Sequence, residues 1–124
     1  MTDCPQFAKS YYAGFADLEA VVPEPMKRQY PLGQVCLAGG GLSVKIKDLT
    51  ALSVAITMKC KGCIVHHAKA LVAAGATRKE VGKMIAVTMP MGASRPLSMA
   101  SRHCMPVVLS PGPKADVRSV PQPQ

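Results

Sequence analysis

The chain has 124 residues, of which 48% are hydrophobic, and its mean hydropathy is +0.16. This length suits one domain with one hydrophobic core, and the composition excludes a disordered polar segment. Fifteen Lys and Arg against seven Asp and Glu give a formal net charge of +8. That excess attracts anions, but three Tyr, two Phe and no Trp offer few rings to stack on bases, so we expect no nucleic-acid partner.

The sequence also argues against a membrane or secreted protein. No apolar run reaches the roughly 18 residues that cross a bilayer, and no basic-then-apolar leader pattern begins the sequence. Five cysteines in a widely spaced, odd-numbered set differ from the disulfide framework of a small secreted domain. We therefore expect a cytoplasmic protein with no membrane partner.

The first forty residues predict two helices, the second of them irregular. Residues 6–20 carry apolar side chains at helical spacing, namely Phe7, Tyr11, Phe15 and Leu18. Pro23 and Pro25 end that helix and can open the next. Residues 26–38 are ambiguous, because Pro31 and Gly33 interrupt them, and a broken helix is one interpretation.

Stronger helices follow. Residues 44–58 have an apolar stripe at Leu49, Leu52 and Ile56 with no Gly or Pro, which favours a helix by length. Several β-branched residues keep a strand open as the alternative. Residues 63–74 predict a second helix, ended by Gly75.

The end of the domain begins with a helix-start signal. Thr77 and Glu80 have the spacing of a capping box, and Pro90 ends the helix that they open. A last helix is predicted from about Gly92 to Cys104, and residues 106–124 are rich in proline. The chain is thus predicted to be an all-α domain over residues 1–105, with five to six helices and a flexible tail over 106–124.

The residues with the clearest chemistry are Cys60, Cys63 and His67. Cys63 and His67 are four residues apart and share one face of the predicted helix. Cys60 lies near the helix start, where unpaired amides, the helix dipole and the flanking lysines all favour a thiolate. His67 can accept the proton of Cys63, as a base does in nucleophilic catalysis.

Asp48 is the acid expected to orient His67. If residues 44–58 and 63–74 form an antiparallel hairpin, Asp48 and His67 lie at similar distances from the turn. At a rise of about 1.5 Å per residue, they reach similar heights along the two helices. The predicted site is therefore a proton relay from Asp48 through His67 to the cysteine pair.

Three stretches occur in a characteristic order: KDLTALSVA at 47–55, CKGCIVHH at 60–67 and AAGAT at 73–77. In order and spacing, residues 42–105 resemble the carboxymuconolactone decarboxylase-like family, and most closely its alkylhydroperoxidase AhpD-like branch. That branch has a Glu, a C-x-x-C twelve residues later and a His four residues after the second Cys. Two positions differ here: Asp48 replaces the Glu, and Gly62 stands where AhpD itself has a second His.

The resemblance implies an antioxidant peroxidase of all-helical subunits that form a homotrimer or homohexamer. In such members the second cysteine, here Cys63, attacks the hydroperoxide, and the first, here Cys60, resolves the sulfenic acid to a disulfide. A dithiol donor, such as a lipoyl protein, then reduces the disulfide. The resemblance implies no cofactor and no metal.

Alternatives stay open for these residues. Cys60 and Cys63 could instead bind zinc, with a neighbouring His and the His103–Cys104 pair as further donors. The chain could also be a non-enzymatic helical oligomer with a vestigial dithiol. Asp48 could be an acid that favours a helix N-terminus through the dipole. His66 points about 100° away from His67 on a helix, so we expect it at the surface or at a subunit contact.

Overall fold

The computed structural model describes residues 4–93, and every regular element there is helical. The elements are α1 (Cys4–Val21), α2 (Pro23–Leu37), α3 (Val44–Thr57), α4 (Lys61–Ala73) and α5 (Arg78–Thr88), followed by a π-type turn at Met89–Ala93. This confirms the predicted all-α class, and the strand alternative for residues 44–58 is wrong. The predicted tail over 106–124 and most of the predicted last helix lie outside the described residues.

The helix starts follow from side chains that accept backbone hydrogen bonds. Ser43 caps α3 by accepting from the amide of Ile46 at 3.3 Å. Thr77 and Glu80 form both hydrogen bonds of the predicted capping box, which is therefore confirmed. Each cap satisfies amides that a helix N-terminus otherwise leaves unpaired. These caps set the positions at which α3 and α5 begin.

The segment that the sequence left ambiguous forms one continuous helix, so the broken-helix interpretation is wrong. α2 continues through Pro31, although proline lacks the amide that would pair with the preceding turn. Met26 is the one residue of α2 that is buried, so most of the helix faces solvent. The carbonyl that Pro31 leaves unpaired can then be hydrated, which lowers the cost of keeping the helix intact.

The core lies mainly between α3 and α4, with α5 closing one side. Its fully buried members include Leu52 and Ile56 of α3, Leu71 of α4 and Val81 of α5. Burying such side chains stabilises the fold by about 1.5–3 kcal/mol each. The helical hairpin of α3 and α4 thus contributes most of the buried core of the described chain, and it carries all four predicted site residues.

No helix within residues 4–93 combines the length and the apolar character that crossing a bilayer would require.

Candidate active site

The turn between α3 and α4 places Cys60 directly at a helix start. Lys59 adopts a left-handed backbone conformation with φ of 60°, and the Cys60 amide donates to the carbonyl of Ala55 at 3.0 Å. These two features reverse the chain within three residues. α4 therefore begins at Lys61, two residues before the predicted start, and Cys60 is its N-cap.

Cys60 and Cys63 form a disulfide across the first turn of α4, with 5.3 Å between their Cα atoms. The Cys63 amide also donates to Cys60 Sγ at 3.2 Å. Both cysteines are partly buried, and Cys63 packs against the core. The sulfur of Cys60 thus lies at the positive end of the helix dipole, where a negative charge is stabilised.

His67 and Asp48 meet across the hairpin. Asp48 Oδ1 lies 3.0 Å from His67 Nδ1, so the carboxylate accepts from that nitrogen when it carries a proton. Asp48 is only 3% exposed, and the His67 side chain is 17% exposed. A hydrogen bond at Nδ1 orients the ring and leaves Nε2 as its second nitrogen for proton transfer.

The alternative role considered for Asp48, as an acid at a helix N-terminus, does not fit this geometry. α3 has no acidic residue in its first turn, so Asp48 is too far along the helix for a role at the N-terminus. Asp48 is one methylene shorter than the Glu of the AhpD-like branch, yet its carboxylate reaches the imidazole directly. The structure therefore places Asp48 as a buried partner of His67.

His66 lies beside this pair on an exposed part of α4, as expected from its position on the helix. Its ring centroid is 5.1 Å from that of His67, and its Nδ1 is 3.5 Å from the hydroxyl of Tyr12. Loss of hydration and the neighbouring His67 lower the pKa of His66 below its usual value. His66 is thus disposed to stay neutral at pH 7.

α1 also contributes to this site, and the sequence did not predict that contribution. Tyr12 contacts His66, and the ring of Tyr11 lies against Gly62, between the two cysteines. The apolar stripe of α1 indicated a buried face, but a stripe does not identify the helix that it packs against. The glycine inside the C-x-x-C motif is the one local signal that another side chain approaches there.

The described residues show no ready-made metal centre. Within residues 4–93, no group of three or more His, Cys, Asp or Glu side chains is arranged to hold a metal ion. The additional zinc donors considered above, His103 and Cys104, lie outside that part of the chain. What the described site offers is a dithiol–disulfide pair beside a hydrogen-bonded acid and imidazole.

Comparisons with known proteins agree with the all-helical fold. The model of the Carboxymuconolactone decarboxylase family matches residues 23–102. A Haemophilus influenzae protein described as uncharacterized is 31% identical over 68 residues, which span 55% of this chain and 60% of that protein. The match thus spans less than two thirds of that relative's length.

A solved structure extends the agreement to three dimensions. The crystal structure of an apo carboxymuconolactone decarboxylase family protein from Legionella pneumophila matches with a TM-score of 0.71 and 31% identity. The match covers 76% of this chain and 84% of that one. The family match includes α2 to α5 and all four predicted site residues, whereas α1 precedes it. This chain therefore belongs to the carboxymuconolactone decarboxylase family.

Proposed function

We propose that the protein is a thiol-dependent peroxidase or disulfide oxidoreductase of the AhpD-like type. The observation that carries this proposal is a single arrangement of side chains. A disulfide between Cys60 and Cys63 lies one helical turn from His67, whose Nδ1 is 3.0 Å from the buried carboxylate of Asp48. Redox-active sulfur, a base and an orienting acid are the groups that such a reaction needs.

The electrostatic setting supports a reactive sulfur. Cys60 caps α4, Cys63 lies in its first turn, and Lys59 and Lys61 flank Cys60. Helix amides and neighbouring cations favour a thiolate over a thiol. Because only the thiolate is a strong nucleophile, this setting prepares the reduced pair for attack on an electrophilic oxygen or sulfur.

The proposed oxidative half-reaction consumes two thiols. His67 takes the proton of Cys63, and the thiolate attacks the terminal oxygen of a hydroperoxide. An S–O bond forms, the O–O bond breaks, and the alkoxide leaves as an alcohol after taking a proton. The Cys60 thiolate then attacks the Cys63 sulfenic acid, so that the disulfide forms and water leaves. The net change is hydroperoxide plus two thiols to alcohol, water and one disulfide.

The reductive half-reaction requires a dithiol donor, which we propose to be of the lipoyl type. The donor gives two electrons and two protons to the disulfide and leaves as its own disulfide. Asp48 stabilises the protonated imidazole that forms during proton transfer, because a carboxylate accepts a stronger hydrogen bond from a cationic donor. Asp48 is therefore proposed as a positioning and charge-stabilising residue for His67.

A thiol titration tests this function. The reduced protein is mixed with one equivalent of cumene hydroperoxide, and free thiols and alcohol are then measured. Two thiols should disappear per alcohol formed, and Cys63→Ser should abolish the loss. Cys36→Ser is the matched control, because Cys36 is free and exposed. Unchanged thiol content in the unmodified protein would support the vestigial dithiol of a helical oligomer, and zinc in an elemental analysis would support the metal alternative.

We also propose that the protein forms a homo-oligomer, a trimer or a hexamer. Several large apolar side chains of the described helices are exposed, among them Val35, Ile46, Val54 and Val87. Extensive exposed apolar surface is unusual for a monomer and typical of subunit contacts. Sedimentation equilibrium measures the mass directly, and a monomer at all concentrations would contradict this part of the proposal.

A further inference from the structure

The space beside the centre of the C-x-x-C motif is filled by a side chain from another helix. Gly62 is buried, and a Cβ atom added to it would lie 2.6 Å from Cδ2 of Tyr11 and closer still to Cε2 and Cζ. Real Cβ atoms essentially never approach other atoms so closely. The Tyr11 ring therefore occupies the volume that any side chain at position 62 would need.

The contact lies immediately beside the proposed reacting groups. On α4, positions 62 and 66 share one face, and positions 63 and 67 share the neighbouring face. α1 contacts the first of these faces, with Tyr11 on the buried Gly62 and Tyr12 near the exposed His66. α3 contributes Asp48 to His67 on the second face. The face with Cys63 and His67 is thus next to a wall of α1 side chains, formed by Tyr11 and Tyr12.

The Tyr11 ring is held in place by its neighbours. Its centroid lies 6.2 Å from that of Phe7 in a stacked arrangement and 4.9 Å from that of Phe15 in an edge-to-face arrangement. Such pairs are favourable aromatic geometries. Burial, and then Tyr30, raise the pKa of Tyr11, so its hydroxyl stays neutral at pH 7. Tyr11 therefore presents a neutral aromatic surface beside the disulfide turn.

We propose that Tyr11 is a specificity-determining residue that limits which reductants reach the Cys60–Cys63 disulfide. This inference rests on the proposed function, because it concerns the reductive half of the same cycle. Thiol–disulfide exchange passes through a mixed disulfide, so the donor's sulfur and the chain behind it must fit beside the sulfur under attack. A wall next to the motif excludes bulky donors more strongly than compact ones. α1 precedes the segment that the family model matches, so the contact between Tyr11 and Gly62 joins a residue outside that segment to one inside it.

Reduction rates with dithiols of increasing size test the inference. The oxidised protein is reduced by dithiothreitol, by dihydrolipoamide and by a reduced lipoyl-bearing protein domain. In each case the donor dithiol becomes a disulfide, and the Cys60–Cys63 disulfide becomes two thiols. Tyr11→Ala should raise the rate with the lipoyl domain, relative to dithiothreitol, by about tenfold, which corresponds to about 1.4 kcal/mol. Tyr11→Phe keeps the ring and should leave the ratio unchanged.

Two further variants separate an effect on access from a general loosening of α1. Phe15→Ala removes a ring of the same aromatic group without vacating the space beside Gly62, so the ratio should stay near that of the unmodified protein. Gly62→Ala should displace the Tyr11 ring, because the added Cβ needs the same space. In the double variant Tyr11→Ala/Gly62→Ala the smaller residue at position 11 makes room for that Cβ, so the turn should again be well packed. Equal ratios in Tyr11→Ala and the unmodified protein, or equal shifts in Tyr11→Ala and Phe15→Ala, would overturn the inference.

The two proposals fail in distinguishable ways. The ratio of reduction rates is measured on the existing disulfide with synthetic donors, so it needs no hydroperoxide. If hydroperoxide leaves both thiols intact, the peroxidase proposal fails whatever the ratio shows. If hydroperoxide oxidises the cysteine pair but Tyr11→Ala leaves the ratio of reduction rates unchanged, only the specificity inference fails.

Discussion

Replacing Asp48 by Asn removes the buried negative charge while keeping nearly the same shape. The amide oxygen can still accept from His67 Nδ1, which lies 3.0 Å from the present carboxylate oxygen. Asn therefore preserves the orientation of the imidazole but loses the charge that stabilises its protonated form. We expect the fold to survive and the oxidation of the reduced cysteine pair by hydroperoxide to slow.

The size of this effect follows from the two kinds of hydrogen bond. A bond to a charged group contributes about 1.5–3 kcal/mol net, and a neutral bond contributes about 0.5–1.5 kcal/mol. The difference of about 1–1.5 kcal/mol corresponds to about a tenfold change in rate. Asp48 is 3% exposed and the His67 side chain is 17% exposed, so water screens this pair only slightly. The full difference should therefore be observed.

A single-turnover measurement isolates this step. Reduced protein is mixed rapidly with excess hydroperoxide, and the loss of two thiols is followed without any electron donor. Asp17→Asn is the matched control, because it makes the same change of charge at an exposed position of α1. Circular dichroism checks the helical fold of both variants. If Asp48→Asn reacts as fast as Asp17→Asn, Asp48 has a structural role and no part in proton transfer.

Three further changes have outcomes that the structure fixes in direction. Cys60→Ser should leave Cys63 able to react once, giving a persistent sulfenic acid that dimedone traps; if hydroperoxide still removes two thiols as fast as in the unmodified protein, Cys60 is not the resolving residue. Leu52→Ala should lower the free energy of unfolding by about 2–5 kcal/mol in urea titrations, since Leu52 is fully buried; a loss below about 1 kcal/mol would contradict its place in the core. Glu80→Gln should destabilise the protein at pH 7, because hydrogen bonds from Thr77 and Lys45 lower the pKa of Glu80 from 4.5 to about 2. That loss should persist above pH 4.5 and vanish as the pH falls to about 2, where both states bind the proton; a loss independent of pH would contradict a role for the charge.

The sequence was most informative where one helix or one hairpin decides the geometry. The distance of Asp48 and His67 from the turn sufficed to predict that they meet, because both lie on regular helices of known rise. The capping box of Thr77 and Glu80 was also predictable, because its two residues are only three positions apart. Where the sequence failed, packing or solvent decided the outcome. α2 tolerates Pro31 because the helix lies at the surface, and the residues around Pro31 do not predict that exposure.

The first residue of α4 shows a second reason why the sequence did not predict every boundary. The sequence predicted a helix from Cys63, whereas α4 begins at Lys61 because Cys60 caps it. Cysteine is not among the usual N-cap residues, so the pattern gave no start signal there. The contact between Tyr11 and Gly62 lay beyond prediction for a different reason. It depends on how α1 crosses α4, which helical periodicity alone does not determine.

The residues of the proposed chemistry and the residue proposed to control access belong to separate elements. The acid, the base and both sulfurs belong to the α3–α4 hairpin, which also holds most of the buried core. The ring that lies against Gly62, between the two cysteines in the sequence, belongs to α1, and it occupies the space that a side chain at position 62 would need. Changes in α1 can therefore alter which donors reach the disulfide while the hydrogen bond between Asp48 and His67 stays intact. By the same reasoning, a larger residue at position 62 requires a smaller one at position 11, because the two compete for one volume.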